Sequence, residues 1–146
     1  MPPSGGSRGN ASVKKIADTG LLKAAIDRDD DAHFWAAEQF REHAPFLTCE
    51  AVLVELSFLL GTAIPGLKMV LRGDLILDFD LAAEGKHVLD LLHKYRDRQM
   101  ELADACIVRM TELEDRCKVW TVDKEDFQIY RRHGRQAVPC EFPPAR

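Results

Sequence analysis

Apolar and polar positions along this chain switch between two periods. Short, largely apolar runs at 46–48, 75–79 and 119–122, and Val13-Lys14-Lys15-Ile16-Ala17 before them, have the length and flanking turn residues of strands. Between them apolar residues recur three and four apart. That spacing predicts helices over 21–26, 32–42, 49–60, 65–71 and 81–95, another from 102 onward, and a short one over 124–131. The punctuation agrees: one of Asp29, Asp30 and Asp31 is expected to cap the second helix, Pro45 to stop it, and Gly61 to close the third. The 49–60 segment is apolar almost all round, which predicts burial. Residues 137–138 are a candidate edge strand. Strands and helices alternating in this way predict an α/β fold with a mostly parallel sheet, where ligands gather at the carboxyl ends of the strands. The Pro/Gly/Ser-rich residues 1–12 are expected to form a flexible arm, 13–142 a single domain and 143–146 a tail.

Composition changes this picture little. A chain of 146 residues suffices for one core, and 46% hydrophobic with 30% charged residues is ordinary for a globular protein. A net charge of −4 argues against a general nucleic-acid coat, which would be basic, but not against an enzyme whose site acids lower the total. Cys49, Cys106, Cys117 and Cys140 form no C-x-x-C pair and have no histidine at zinc spacing, so a reduced, cytoplasmic setting is expected. No apolar signal region is visible near the start. The most apolar run, 51–60, is broken by Glu55 and too short for a bilayer, so no membrane association is expected.

Four acids fall where such a sheet would bring them together. Asp18 follows the first strand and Asp123 the fourth; Glu55 and Asp104 lie on apolar helices. Glu55 has Ala51, Val52, Phe58 and Leu59 as its helical neighbours, and a carboxylate buried on such a face needs a pairing cation or a proton. Taken singly, Asp18 is also a turn residue, Asp104 a first-turn acid favoured by the helix dipole, and Asp123 an N-cap. Their shared position at one sheet edge is what singles them out. Carboxylates crowded in one pocket raise each other's proton affinity until a cation neutralises them, and Mg²⁺ or Mn²⁺ takes such oxygen ligands. An ion held there acidifies water and offsets charge on phosphate oxygens, which suits phosphodiester hydrolysis.

At Ile16-Ala17-Asp18-Thr19-Gly20, Thr48 through Glu55-Leu56, Leu102-Ala103-Asp104-Ala105 and Thr121-Val122-Asp123-Lys124-Glu125-Asp126-Phe127 with Tyr130-Arg131, the chain resembles the PIN-domain family and, within it, the VapC-like toxin ribonucleases. The resemblance spans about residues 15–138. It implies a three-layer α/β/α PIN-like fold and an endoribonuclease dependent on Mg²⁺ or Mn²⁺. On the matching positions Asp18, Glu55, Asp104 and Asp123 are the metal-binding acids, with Thr121 as the small hydroxyl residue beside them and Asp126 as an additional acid. It further implies a homodimer and a small antitoxin partner that occludes the pocket. One position departs: Gly20 stands where many relatives carry a polar side chain, which leaves local hydrogen bonding to Thr19 and the backbone.

An RNA substrate has to be held by cations near the acids, and Lys124, Arg131, Arg132 and Arg135 are closest in sequence to Asp123. Two alternatives stay open. One is a catalytically silent binding or regulatory module on the same fold, in keeping with the acidic balance. The other is a phosphatase or phosphoreceiver, for which Asp18 lacks a D-x-D partner.

Overall fold

A computed structural model describes residues 12–145; the arm expected over 1–12 therefore lies, except for Ser12, outside the described residues. In chain order the elements are β1 (Lys14–Ala17), α1 (Thr19–Ile26), α2 (His33–His43), β2 (Phe46–Thr48), α3 (Glu50–Leu60), α4 (Ile64–Arg72), β3 (Leu75–Leu77) and α5 (Leu81–Lys94). A 3₁₀ turn (Arg96–Arg98), α6 (Leu102–Glu112), β4 (Cys117–Trp120), α7 (Lys124–Phe127), β5 (Arg131–Arg132), β6 (Gln136–Ala137) and β7 (Cys140–Glu141) follow.

Five strands form a central sheet in the order β3-β2-β1-β4-β7, every pair parallel, and helices flank it. The chain builds outward from β1 through β2 to β3, then returns to lay β4 on the other side of β1. That reversal makes the carboxyl ends of β1 and β4 the switch point, where loops diverge and leave a crevice. Register sharpens this: Ala17 pairs with Trp120, so Asp18 and Thr121 leave the sheet side by side. Thr48 ties β2 into the same edge by donating its hydroxyl to the Ala17 carbonyl at 3.0 Å.

Ile16, Phe46, Leu75 and Val119 fill the sheet side of the core, and Leu21, Leu22, Val52, Leu56, Ile107 and Val108 supply its helical side. Burial of α3 is a correction to the expectation from its composition. Only Val52 and Leu56 are buried in it, while Val54, Phe58 and Leu59 face outward. α3 packs against α1, α4 and α6, and the rest of its circumference is left uncovered.

The C-terminal region also differs from its pattern. α7 ends at Phe127, because Arg131–Arg132 pairs antiparallel with Gln136–Ala137 as a separate hairpin turned by His133 and Gly134, both at positive φ. The strand expected at 137–138 belongs partly to that hairpin, and the edge of the main sheet is β7 instead. Ala32, not an aspartate, stands at the N-cap of α2; Asp30 accepts from the Ala32 amide at 2.9 Å and acts just outside the helix.

Candidate active site

Asp18 follows directly from the last residue of β1 and caps α1, its Oδ1 accepting from the Leu21 amide at 2.9 Å. Its Oδ2 accepts from the Thr121 hydroxyl, the contact that the β1–β4 register prepares. The side chain is buried, and burial pushes its pKa up to about 7 against those two hydrogen bonds, with the charges of Asp104 and Asp123 adding to the rise.

Asp104 sits in the first turn of α6 and accepts from the Tyr130 hydroxyl at 3.2 Å. Burial, followed by the charges of Glu55, Asp123 and Asp126, lifts it to about 6 despite that hydrogen bond. Asp123 leaves β4 three residues after Trp120, takes a bond from the Asp126 amide at 3.0 Å as the cap of α7, and donates its own amide to Thr121 Oγ1 at 2.9 Å. Its pKa is also raised, by burial first and then by Asp126. Glu55 comes from α3 and is half-buried; Thr19 at the head of α1 donates to its Oε1 at 2.6 Å.

The four acids thus come from four separate elements and act on one another. Asp18 feels Asp104 and Asp123, and Asp104 feels Glu55 and Asp123. Among the described residues none of the four forms an ion pair with a lysine, arginine or histidine. Among the described residues, too, no group of three or more histidine, cysteine, aspartate or glutamate side chains is drawn tightly enough to hold a metal ion as it stands. Several carboxylate oxygens are turned toward Thr19, Thr121, Tyr130 and backbone amides instead. By donor chemistry the set fits a hard divalent cation: it is all oxygen, no lysine, arginine or histidine among the described residues pairs with it, and burial raises the proton affinity of Asp18, Asp104 and Asp123. Mg²⁺ in particular keeps several waters and needs only one or two carboxylates in direct contact.

Asp126 lies at the margin of the group, but it is engaged by Arg98 at 2.7 Å. The basic residues divide. Lys124 and Arg135 are exposed, and Arg131 directs its Nη1 to the carbonyls of Gln128 and Tyr130 at 2.8 and 3.1 Å. Arg132 is a correction to the expected RNA grip. It is buried, and its Nη2 donates to the carbonyls of Thr111, in the last turn of α6, and Glu114, just beyond it, where the helix dipole favours a cation.

Three features were not assigned roles from the sequence. Tyr130 supplies the donor to Asp104, and its signal was available, since a buried tyrosine hydroxyl needs a partner. Arg98 reaches Asp126 across 28 residues, with no local signal to betray it. Gly20 is a matter of space: a Cβ there would stand 2.8 Å from Val122 Cγ2, so the first turn of α1 and the loop after β4 approach this closely with no side chain between them. Beside Glu55, a cleft of about 530 Å³ runs between α3 and the start of α6, walled by Val54, Phe58, Leu59 and Leu102.

No family model matches this sequence, and no curated protein does. Among solved structures, Mycobacterium tuberculosis VapC20, described as a sarcin-ricin loop cleaving toxin, superposes with a TM-score of 0.68 at 18% identity, covering 77% of this chain and 92% of that one. Likeness at that identity speaks for the fold: this chain has the three-layer PIN-like α/β/α architecture of a VapC toxin, with its parallel five-stranded sheet. No helix among the described residues is long and apolar enough to cross a membrane.

Proposed function

We propose that the protein is a metal-dependent endoribonuclease that hydrolyses RNA phosphodiesters, the toxin member of a toxin–antitoxin pair. The observation that carries this reading is the meeting of Asp18, Glu55, Asp104 and Asp123 at the switch point of a parallel sheet without a paired cation. Asp18, Glu55, Asp104 and Asp123 would hold Mg²⁺ or Mn²⁺, which when bound supplies charge neutralisation at the phosphate and an acidified water. The protein's own part is orientation. Thr121 and the Leu21 amide fix Asp18, Thr19 fixes Glu55, Tyr130 fixes Asp104, and the start of α7 fixes Asp123. Each acid is thus oriented by a donor from the scaffold, as ligands of a metal commonly are.

Partners follow from the surface. Phe58 is 84% exposed and, with Val54 and Leu59, leaves an apolar face beside Glu55 that suits contact with protein. An antitoxin covering the acids and a second copy of the chain are the partners in this reading. A reduced cytoplasm is its setting, in keeping with four free cysteines.

The looseness of the acids as they stand favours a second reading, a PIN-fold binding module that cuts nothing. One experiment separates the two. Structured RNAs, including a sarcin-ricin loop hairpin, are incubated with the purified chain and Mg²⁺ or Mn²⁺. The nuclease reading expects cleavage that EDTA abolishes and Asp104→Asn suppresses. Intact RNA under every metal condition favours the module.

A further inference from the structure

The ribonuclease reading leaves a strand of phosphates to be held next to a pocket of negative charge, and one of the four cations expected to do it, Arg132, is buried. The structure offers others from a distant part of the chain. The end of α5 and the 3₁₀ turn after it are fastened to the segment that follows Asp123 at three points. Lys94 Nζ donates to the Gly134 carbonyl at 2.8 Å, the Arg131 amide donates to Tyr95 Oη at 2.8 Å, and Arg98 Nη2 pairs with Asp126 Oδ1 at 2.7 Å. The rings of Tyr95 and Tyr130 meet edge to face, centroids 5.1 Å apart, under this junction. Tyr130 in turn donates to Asp104, so the fastening runs directly into the acidic group.

The outcome is a shelf of cations that meets the acidic group at Arg98. Lys94, Arg96 and Arg98 are exposed along it, and Arg135 is exposed on the hairpin to which it is clamped. Helix-end chemistry accounts for part of this: Lys94 lies in the last turn of α5, and Arg96 Nη1 donates to the His93 carbonyl at 2.8 Å. It does not account for Arg98. That side chain is drawn to an acid whose charge is felt by both Asp104 and Asp123, which places a guanidinium at the border of the carboxylates with about a third of its surface open. A guanidinium presents several donors and can meet a phosphate while it keeps one carboxylate contact.

We infer that the shelf formed by Lys94, Arg96 and Arg98 binds the backbone phosphates of an RNA strand next to the bond lying over the acids, with Arg98 contacting the nearest phosphate. The inference deepens the ribonuclease reading and rests on it for the identity of the strand. Binding of this kind is salt-dependent, each phosphate contact adding roughly 0.7 to the slope of log K against log salt for a single strand.

The test uses the full chain in EDTA, where binding is read without cleavage, and a fluorescently labelled single-stranded RNA followed by anisotropy over a salt series. The Arg96→Gln/Arg98→Gln variant is expected to bind about tenfold more weakly at low salt, with a slope shallower by roughly 1.4. Arg98→Lys keeps the charge and is expected to retain most of the slope, which guards against a merely structural loss. The control is Arg41→Gln/Lys68→Gln, on a separate cleft between α2 and α4, where the wild-type slope is expected. No salt-dependent binding by the wild type, or a wild-type slope in the shelf variant, overturns the inference. The failures are separable. Loss of slope in a chain that cuts nothing with Mg²⁺ or Mn²⁺ supports the shelf and removes the nuclease; cleavage by a chain whose shelf variant binds normally does the reverse.

Discussion

Tyr130 donates its hydroxyl to Asp104 Oδ2 at 3.2 Å, joining the residues after α7 to the first turn of α6. Burial and the nearby charges of Asp104 and Asp126 push the tyrosine's own pKa far up, so it stays a donor across the working pH range. Tyr130→Phe keeps the ring contacts with Phe127 and Tyr95 and removes only this bond. The expected cost in stability is about 1 kcal/mol by chemical denaturation. Asp104 would then hold its proton still more tightly, since the bond opposes the rise, and the acidic limb of the cleavage profile would move to higher pH. A limb that stays in place contradicts a role for Tyr130 at this acid.

Asp18 makes the metal-free protein sensitive to pH. Its pKa rises from 3.8 in the unfolded chain to about 7 in the fold, so between those values the folded state binds the extra proton. The stability this confers is fully present below pH 3.8 and is lost as pH rises toward 7. A tenfold difference in proton affinity is worth about 1.4 kcal/mol, which makes the full effect on the order of 4 kcal/mol. Asp18→Asn keeps a side-chain oxygen for the Leu21 amide and carries no charge. It is expected to be more stable than the wild type by about 2 kcal/mol at pH 8 in EDTA, with the advantage shrinking by pH 5. Thermal melts at the two pH values check this; a variant destabilised equally at both contradicts it.

Gly20 sets two effects against each other. Alanine is favoured over glycine within a helix by about 1 kcal/mol. Its Cβ would press on Val122 Cγ2 at 2.8 Å, and overpacking of that kind costs about 1–3 kcal/mol. The clash is expected to win, leaving Gly20→Ala less stable by about 1 kcal/mol. In a Val122→Ala background the sign should reverse, as helix propensity then acts alone. A double-mutant cycle by urea unfolding reads the coupling directly.

Arg132 is expected to matter for folding and not for RNA. Arg132→Met strips the Glu114 carbonyl of its donor and Thr111 of one of two, at a cost of about 2 kcal/mol. Binding of labelled RNA, measured well below the melting temperature, should match the wild type. A marked fall in affinity without a change in stability would return this residue to the RNA surface.

Much of the architecture was legible because β1 and β4 each end in an apolar pair, β2 is short and mostly apolar, and helices of clear period separate them. Asp18 could be placed from sequence because a residue just past a parallel strand has one place to go, whereas Asp123 lies three residues past β4 and is held as the cap of α7. Glu55 was reached by a weaker argument: its apolar neighbours suggested burial, yet Val54, Phe58 and Leu59 face outward and Glu55 itself is half-buried. Periodicity reports which residues are apolar, not which of them find a surface to cover. The hairpin of β5 and β6 was missed because two-residue strands have no period to read. The same blindness hid the Arg98–Asp126 pair and misplaced Arg132, since proximity to Asp123 in sequence said nothing of the carbonyls at the end of α6.

The account depends on Asp18, Glu55, Asp104 and Asp123 sharing one cation, and Mn²⁺ binding followed by electron paramagnetic resonance tests that without RNA. The wild type should bind Mn²⁺ at a saturable site. Asp18→Asn, Glu55→Gln, Asp104→Asn and Asp123→Asn should each weaken it, by about tenfold or more if a direct ligand is lost. Wild-type Mn²⁺ affinity in all four variants, or no saturable site in the wild type, would contradict it.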